Sequence, residues 1–453
     1  MFSLRQYVAP FAIIMVFLGL GSQGYAGEIT DDSILDRWDH FRTKVRAEGI
    51  NLETVNTNDM LSTASGGIRQ TTDIDGDLDL LLTVDAEKLQ GWKGATFFLY
   101  GLGLYGTNPS QNVGDVQGVS NIGAMPDWKL FEAWYQQNLF GERLSILAGM
   151  YDVTSEFDVV RVSSELFVHS SFGTGPDLSL SGKNGVSTFP STAVGMRVQW
   201  EPSESFAVRT AVMNGVPGDP NHPTGTHIRL DEDDGVFAIT EAAYYRYLAP
   251  KPHEPSQEGD RPSNIRRLTF RRIGRAAELT YDGKYALAAW GYTTRLNDLS
   301  QVDSAGNPVR RNGTYGFYAL AEQMVYHEQD DPVQGLTIYA RAGMADPRVN
   351  RFKNFLNSGL VYTGLIPGRK YDQAGFGVAT SWSSSHFEES QHNAGKPVSN
   401  TTIAMEWTYA ATLTPSVIFQ PDLQYIINPG SNPSIKNAIV AGFRLELHMN
   451  WFK

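Results

Sequence analysis

Apolar and polar side chains alternate along much of this 453-residue chain, a pattern typical of β-strands with two unlike faces. One stretch places Val194, Met196 and Val198 on one face and Arg197 and Gln199 on the other. A turn and a second alternating stretch follow it, so the pair predicts a β-hairpin. The C-terminus repeats the alternation through Phe443, Arg444, Leu445, Glu446, Leu447, His448, Met449, Asn450 and Trp451.

About sixteen such segments can be counted, and their connections alternate between short and long. The predicted strands are 50–58, 69–85, 95–105, 129–139, 143–152, 192–200, 205–213, 236–247, 284–293, 314–327, 335–344, 355–365, 371–382, 402–412, 416–427 and 438–452. An even number of antiparallel strands, with short turns at one end and long loops at the other, is typical of outer-membrane barrels.

Three connections stand out in this count. The link 248–283 falls on the short side but is too long for a turn, and it contains a strand-like stretch, Ala277–Tyr281. The connection 294–313 is predicted as a longer loop. The longest connection, 153–191, leaves on the extracellular side; it either folds into the channel or caps the outer rim.

The N-terminus has the features of an export signal. Arg5 is the only charged residue before Glu28, and an apolar run from Val8 to Leu20 leads to small residues that end at Ala26. A positive start, a short apolar stretch and a small-residue cleavage site predict a signal peptide over residues 1–26, with a retained anchor as the alternative. The run is shorter than the roughly 20 residues that a spanning helix needs.

Residues 27–49 are expected to form a short amphipathic helical segment before the first strand. Apolar residues recur there at helical spacing, at Ile34, Leu35, Trp38, Phe41 and Val45. The remaining chain, 50–453, has no linker, and its 44 glycines and its aromatic residues are spread evenly. This evenness favours one large all-β domain.

The composition of the chain excludes several classes of function. The chain has no cysteine, which excludes disulfides, thiolate metal sites and a cysteine nucleophile. Its formal charge of −12 argues against a nucleic-acid partner, because phosphate binding needs a basic surface. No histidine pair has metal-ligand spacing and no nucleophile elbow occurs, so we expect no metal, no cofactor and no catalytic residues.

Several motifs are better explained by a structural role than by a binding or catalytic role. Residues 101–106 match G-x-G-x-x-G, but a loop rather than a helix follows, so a dinucleotide site is not indicated. Four alternating aspartates, Asp73 to Asp79, are expected on a wet face, in the lumen or on a loop. The run Asp231–Asp234 indicates a solvated loop, with divalent-cation binding as the alternative. The Pro/Arg-rich region 250–275 carries the basic cluster and has no assigned role.

Alternation alone does not separate a membrane barrel from a soluble β-protein. Tryptophan and tyrosine near predicted strand ends, as at Trp200, Trp382, Trp407, Tyr425 and Trp451, favour the interfacial girdles of a membrane barrel. The sequence therefore predicts an all-β fold, a transmembrane antiparallel β-barrel of about 16 strands with a short N-terminal amphipathic helix. Its location would be the bacterial outer membrane, with lipid and lipopolysaccharide around it.

The C-terminal stretch from Gln420-Pro421-Asp422 to Asn428-Pro429-Gly430 resembles the hallmark of the OprB-type carbohydrate-selective porins. Weaker matches lie in the expected order at Leu89–Gly94, Ser170–Gly173, Asn214–Asp219 and Gly359–Gly364. The resemblance covers the chain from about residue 34 onward. It implies a monomeric barrel that passes glucose and similar small sugars by facilitated diffusion. The terminal Lys453 and the 250–275 region depart from the family pattern.

Candidate sugar-contacting residues come from the polar faces of strands and from the 153–191 connection, if it folds inward. They are Arg161, Glu165, His169, Arg197, Gln199, Arg209, Arg341, Glu406, Asp422, Gln424, Arg444 and Glu446. The function predicted is diffusion of sugars through a water-filled pore. The alternative is a secreted or surface β-protein that binds or hydrolyses polysaccharide.

Overall fold

The computed structural model of the protein describes residues 34–247, 281–329, 331 and 333–452. The predicted signal peptide and most of the 248–283 link lie outside these residues. Helix α1, Ile34–Ala47, falls within the predicted N-terminal helical segment, and the rings of Trp38 and Phe41 stack on it with centroids 5.6 Å apart.

Sixteen strands follow α1, close to the predicted positions. They are β1 (Ile50–Gly67), β2 (Thr72–Asp85), β3 (Ala95–Gly106), β4 (Asp127–Leu139), β5 (Leu144–Tyr151), β6 (Ala193–Ser203), β7 (Phe206–Asn214), β8 (Val236–Arg246), β9 (Gly283–Val302), β10 (Pro308–His327), β11 (Gly335–Ala345), β12 (Phe352–Thr363), β13 (Gln373–Ser383), β14 (Thr401–Thr414), β15 (Val417–Ile427) and β16 (Lys436–Asn450).

Short helices lie in the connections. They are α2 (Ala86–Gln90), α3 (Ser110–Val113), α4 (Arg161–Leu166), α5 (Pro176–Ser179) and α6 (Ser385–Asn393), with 3₁₀ turns at Val153–Ser155, Ser170–Phe172, Glu232–Asp234 and Pro429–Ser431. Only α6, among these connecting helices, exceeds six residues.

Each strand pairs antiparallel with its neighbours in sequence, and the last strand closes on the first. In this seam between β1 and β16, Asp59 lies opposite Arg444. Closure leaves no free strand edge, so every ladder hydrogen bond is made within the protein, as a hydrocarbon environment requires.

The exposure pattern of the strands is inverted relative to a water-soluble barrel. Apolar side chains face outward and are exposed, as at Leu287, which is 68% exposed, while polar side chains face the interior and are buried, as at Arg197, which is 1% exposed. On β16, Arg444 and Glu446 are more buried than Phe443 and Leu445. The alternation in the sequence therefore corresponds to a lipid-facing exterior and a polar interior.

The predicted bounds of one loop are wrong. Residues 294–313 do not form a longer connection, because β9 continues to Val302 and β10 begins at Pro308. The tight turn between them is held by Asp303, whose N–H donates to the Asn307 carbonyl at 2.8 Å. Most side chains on both faces of this extension are polar, so apolar and polar positions do not alternate there although the strand pairing continues.

Two motifs have structural roles. The glycine-rich residues 101–106 lie in β3, as expected of a strand. The acidic run forms a 3₁₀ turn in which Arg229 pairs with Asp231 and Asp234 at 2.6 and 3.1 Å. Across the described residues, no group of three or more His, Asp or Glu side chains is arranged to hold a metal ion. The helices described there are all too short or too polar to cross a membrane.

Candidate permeation site

The connection between β5 and β6, residues 152–192, lies inside the barrel, and we name it the long inner loop. Polar side chains on the opposite wall hold its backbone. Glu406 on β14 accepts hydrogen bonds from the N–H groups of Val168 and His169, at 2.7 and 2.9 Å. Gln420 on β15 donates to a carbonyl of the same loop at 2.6 Å. Of the two arrangements that the sequence allowed, the loop adopts the inward one.

Arg341 on β11 holds the long inner loop with four hydrogen bonds. It is 2% exposed and donates to both carboxylate oxygens of Asp158, at 2.8 and 3.0 Å, and also to Asp177. Its guanidinium carbon lies 5.2 and 5.1 Å from the ring centroids of Tyr318 and Phe355. Burial raises the pKa of Asp158 to about 6, against the opposing effect of Arg341. A bidentate, desolvated pair of this kind fixes geometry strongly.

Further ion pairs hold the start of the long inner loop. Arg197 on β6 donates to both oxygens of Glu156, at 2.7 and 3.0 Å. Burial would raise the pKa of Glu156, but Arg197 and Arg209 outweigh it and hold the pKa below its usual value. Glu241 on β8 pairs with Arg209 at 3.2 Å and accepts from the Asp158 N–H at 3.1 Å. These contacts fix the loop from several strands at once.

Glycines on β13 make room for the apolar side of the loop. Phe167 and Phe172 stack with ring centroids 4.5 Å apart and lie against this strand. A Cβ added at Gly375 would lie 2.6 Å from Leu166, and one added at Gly377 would lie 2.4 Å from the Phe172 ring. Both distances are shorter than real contacts, so the loop can approach the wall this closely only where the strand has no side chain.

A second connection, residues 107–126 between β3 and β4, also enters the barrel, and we name it the short inner loop. Ser120 Oγ lies 2.8 Å from carboxylate oxygens of both Asp59 and Asp75. Gln424 on β15 donates to the Val119 carbonyl at 2.9 Å. The short inner loop is thus held by the part of the wall around the seam.

The two inner loops are bonded to each other. The Ser170 N–H donates to the Gly118 carbonyl, and the Asn121 N–H donates to the Val168 carbonyl, both at 2.8 Å. In addition, His169 Nε2 lies 3.4 Å from a carboxylate oxygen of Asp115 on the short loop. Together the loops form one continuous insert across the interior.

The insert leaves a cavity of about 500 Å³ against one side of the wall, and we name it the central cavity. Strands β16, β1, β2, β3 and β4 supply its wall side, and both inner loops supply the rest. Its aromatic lining residues are Phe98, Tyr100, Phe131 and Phe189. The charged ones are Asp79, Asp115, Glu132, Asp152, Glu165, Arg444 and Glu446. Aromatic faces and hydrogen-bonding groups therefore share one small space.

The twelve candidate residues divide into two groups. Glu165, Arg444 and Glu446 line the central cavity. The other nine do not line it: Arg161, His169, Arg197, Gln199, Arg209, Arg341, Glu406, Asp422 and Gln424. All but Arg161 of these nine are buried. Arg161 is half-buried, 5.4 Å from the Tyr281 ring centroid and 4.0 Å from Glu165.

Several residues of the central cavity could not be identified from the sequence pattern. Phe131 and Glu132 are adjacent on β4, where a register irregularity opposite Tyr100 lets both face inward and breaks the alternation. Asp115 and Phe189 lie in loops, which have no periodicity to read. The aspartate series was informative, because all four side chains are buried on the inner face and Asp79 accepts from the Tyr100 hydroxyl at 2.6 Å.

The family model for the carbohydrate-selective porins of the OprB family matches residues 69–449 of this chain. The chain belongs to the OprB family of carbohydrate-selective porins. Porin B of Pseudomonas aeruginosa is 22% identical to it, over 95% of this chain and 94% of that protein. The OprB family is one of outer-membrane channels, so the porin interpretation holds over the secreted polysaccharide-binding alternative.

Solved OprB structures support the fold. The high-pH structure of Pseudomonas putida OprB has a TM-score of 0.75 and 21% identity, and the match covers 91% of this chain and 97% of that one. The low-pH structure of the same protein has a TM-score of 0.55 and 17% identity, with coverage of 93% and 100%. Both are barrels to which this OprB-family chain is similar in architecture.

Proposed function

We propose that the central cavity is where this porin selects small neutral sugars, glucose and similar ones, as they diffuse through the barrel. The observation that carries the proposal is the placement of four aromatic side chains and several carboxylates around one cavity of about 500 Å³. That volume falls within the roughly 300–1,000 Å³ typical of small-molecule sites.

A sugar presents two kinds of surface, and the cavity has a counterpart for each. The C–H faces of a pyranose ring are apolar and can lie on aromatic rings, here those of Phe98, Tyr100, Phe131 and Phe189. The hydroxyls lose water contacts on entering, and the carboxylates of Glu132, Glu165 and Glu446 can replace them as acceptors. Such contacts admit a solute without holding it, as conduction requires.

The remaining candidate residues act in this proposal by holding the insert. Arg197, Arg341 and Glu406 are bonded to the long inner loop, and Gln424 is bonded to the short one. These residues would set the width of the passage rather than touch the sugar.

The test is liposome swelling with purified protein, comparing Tyr100→Ala and Phe189→Ala with the wild type. We expect glucose influx to fall several-fold relative to glycerol, because glycerol is too small to need a ring contact. Tyr100→Phe retains the ring and loses only the hydroxyl bonded to Asp79, so it should keep most of the glucose preference.

Phe317→Ala is the matched control, since this aromatic residue faces outward on β10 and is 48% exposed. A heat-modifiable band on gels establishes that each variant forms a barrel. An unchanged ratio of glucose to glycerol influx in both cavity variants would overturn the proposal.

We further propose that the porin works as a monomer surrounded by outer-membrane lipid and lipopolysaccharide. One chain closes the barrel with its own strands. Its outward side chains, such as Leu287, Phe317 and Leu356, are apolar and exposed, as suits contact with lipid. Cross-linking in intact outer membranes tests the monomer: a predominant dimer or trimer would contradict it.

A further inference from the structure

The hairpin of β9 and β10 extends past the strand beside it. Pairing between β10 and β11 ends at Gly316 and Ala345, whereas pairing between β9 and β10 continues to Pro308 and Val302. The turn of this hairpin lies at the same end of the barrel as the connections that form both inner loops. Long connections of outer-membrane barrels are extracellular, so the extension belongs to the outer rim.

The two faces of this extension differ in how their charges are matched. On the face that packs on α6, Asp298 is buried and pairs with Arg311 at 2.8 Å and with His386 at 2.7 Å. On the opposite face, Arg295 and Arg310 are both exposed. Neither of these two guanidiniums has an ion pair or a hydrogen bond to another described residue. The extension therefore presents two unmatched positive charges on its outer face.

The two arginines are neighbours across the strand pair. Arg295 lies opposite Asn312, and Arg310 lies opposite Asn297. Residues related in this diagonal way are roughly 7–8 Å apart, which lets two long side chains reach one ligand. All four residues are exposed, and we name them the outer basic patch. The chain as a whole carries a formal charge of −12, so this patch is a local feature.

The outer basic patch continues the lipid-facing surface of the barrel. Tyr315 and Phe317 lie on the same face, 51% and 48% exposed, with ring centroids 6.1 Å apart. Exposed aromatic residues of this kind mark the membrane interface. Tyr315 lies opposite Gly291, and Arg295 follows Gly291 on the same strand, roughly 14 Å farther out at about 3.4 Å per residue. The arginines thus lie beyond the interface, at the level of lipid headgroups.

We propose that the outer basic patch binds a phosphate group of a lipopolysaccharide molecule in the outer leaflet. The inference rests on the proposed outer-membrane environment and adds one specific lipid contact to it. Guanidinium groups bind phosphate through paired, charge-assisted hydrogen bonds, which suits Arg295 and Arg310. The side-chain amides of Asn297 and Asn312 can bond to the sugar hydroxyls beside that phosphate. The acyl chains would then lie along the apolar surface that includes Phe317.

The test is native mass spectrometry of the detergent-purified porin titrated with a short-chain lipopolysaccharide. Replacing both arginines, Arg295→Gln with Arg310→Gln, should weaken binding several-fold. The double lysine variant, Arg295→Lys with Arg310→Lys, should keep part of the affinity, because lysine retains the charge but not the paired geometry. Dephosphorylated lipopolysaccharide should bind equally to the wild type and to the double glutamine variant. Unchanged affinity for intact lipopolysaccharide in the double glutamine variant would overturn the proposal.

Arg348→Gln is the matched control. Arg348 lies at the same rim, since the Leu299 N–H donates to its carbonyl at 3.0 Å, but its guanidinium already pairs with Asp346 at 2.8 Å. The change removes one positive charge outside the patch, so affinity for lipopolysaccharide should not change. Inorganic phosphate distinguishes a free anion from a lipid: displacement of lipopolysaccharide by an equal concentration of phosphate would overturn the lipid contact.

The lipid contact and the proposed function fail separately. A wild-type porin that fractionates outside the outer membrane would reject the proposed environment. A wild-type porin in the outer membrane that binds lipopolysaccharide no more tightly than the double glutamine variant rejects the patch alone. Glucose influx in liposomes should be the same for both proteins, because the patch faces outward, and a reduced influx in the variant would contradict that placement. A heat-modifiable band again confirms that each variant forms a barrel.

Discussion

The two sides of the barrel interior use the same kind of residue for different purposes. On the anchored side, strands β6 to β15 present charged and polar groups that are bonded to the long inner loop or to each other, as Arg341 is with Asp158 and Asp177. On the cavity side, strands β16 and β1 to β4 present carboxylates that outnumber the basic groups. A polar residue of the interior can thus fix the insert, line the cavity or, like Arg444, do both, and which it does depends on where the loops lie.

The anchored side also determines where the central cavity lies. Anchors on one side hold the long inner loop there, and the central cavity lies along the other side. The size of the cavity is therefore a property of the anchored side, while its charge and its aromatic surface are properties of the cavity side. Variants on the two sides should alter different measurements.

The largest effect is expected from Arg341→Ala. The change leaves the buried carboxylates of Asp158 and Asp177 without their partner, and breaking a buried pair in this way costs roughly 3–5 kcal/mol. The loop should detach from β11, so single-channel conductance should rise several-fold and glucose should lose its advantage over larger solutes. Bilayer conductance and liposome swelling measure the two consequences.

Arg348→Ala is the matched control for that change. Arg348 pairs with Asp346 at 2.8 Å outside the insert, and its side chain is 44% exposed. The Asp346 side chain of this pair is 1% exposed, but its bonds to Arg348 lie outside both inner loops, so conductance should not change. Wild-type conductance in a correctly folded Arg341→Ala barrel would show that the anchored side does not set the width.

A smaller effect is expected from Gly377→Ala. The added methyl group would meet the Phe172 ring and the Tyr339 hydroxyl, the latter at 2.7 Å. Overpacking of this kind costs about 1–3 kcal/mol, which should loosen the loop rather than release it. Limited proteolysis within the long inner loop should become faster. Gly101→Ala, whose nearest neighbour would be Leu80 at 3.7 Å, should leave cleavage unchanged, and equal cleavage of both variants would contradict the prediction.

The smallest effect is a pH dependence on the cavity side. Burial raises the pKa of Glu165 from its usual 4.5 to about 7; Arg161 on the same helix opposes the shift and Glu322 on β10 adds to it. The side chain is neutral below that pH and negative above it, so the K⁺/Cl⁻ permeability ratio should rise about twofold between roughly pH 5.5 and 8.5.

The variant Glu165→Gln isolates that group. It removes the charge at every pH and keeps the size of the side chain, so its permeability ratio should stay near the acidic wild-type value throughout. A variant that keeps the full wild-type pH dependence would assign the titration to another group.

Much of the fold could be predicted because a membrane barrel imposes a period of two on its sequence. The strand positions followed from that alternation, and the aspartates of β2 lie in the interior, one of the two positions predicted for them. The extension of β9 and β10 was missed, because polar side chains lie on both faces there and apolar and polar positions do not alternate. The sequence also could not predict which polar residues hold the insert and which line the cavity. Arg341 and Arg444 both lie on the polar face of a strand, and only the positions of the inner loops distinguish them.

The seam between β1 and β16 has a consequence for assembly. Asp59 and Arg444 are 385 residues apart in the sequence, yet they form a bidentate pair behind the cavity wall. The wall of the central cavity is built from both ends of the strand series, so it is complete only when the last strand has paired with the first. A chain stalled before that step has every anchor of the long inner loop on β6 to β15 but no finished passage. Completion of the channel and completion of the barrel are thus one event.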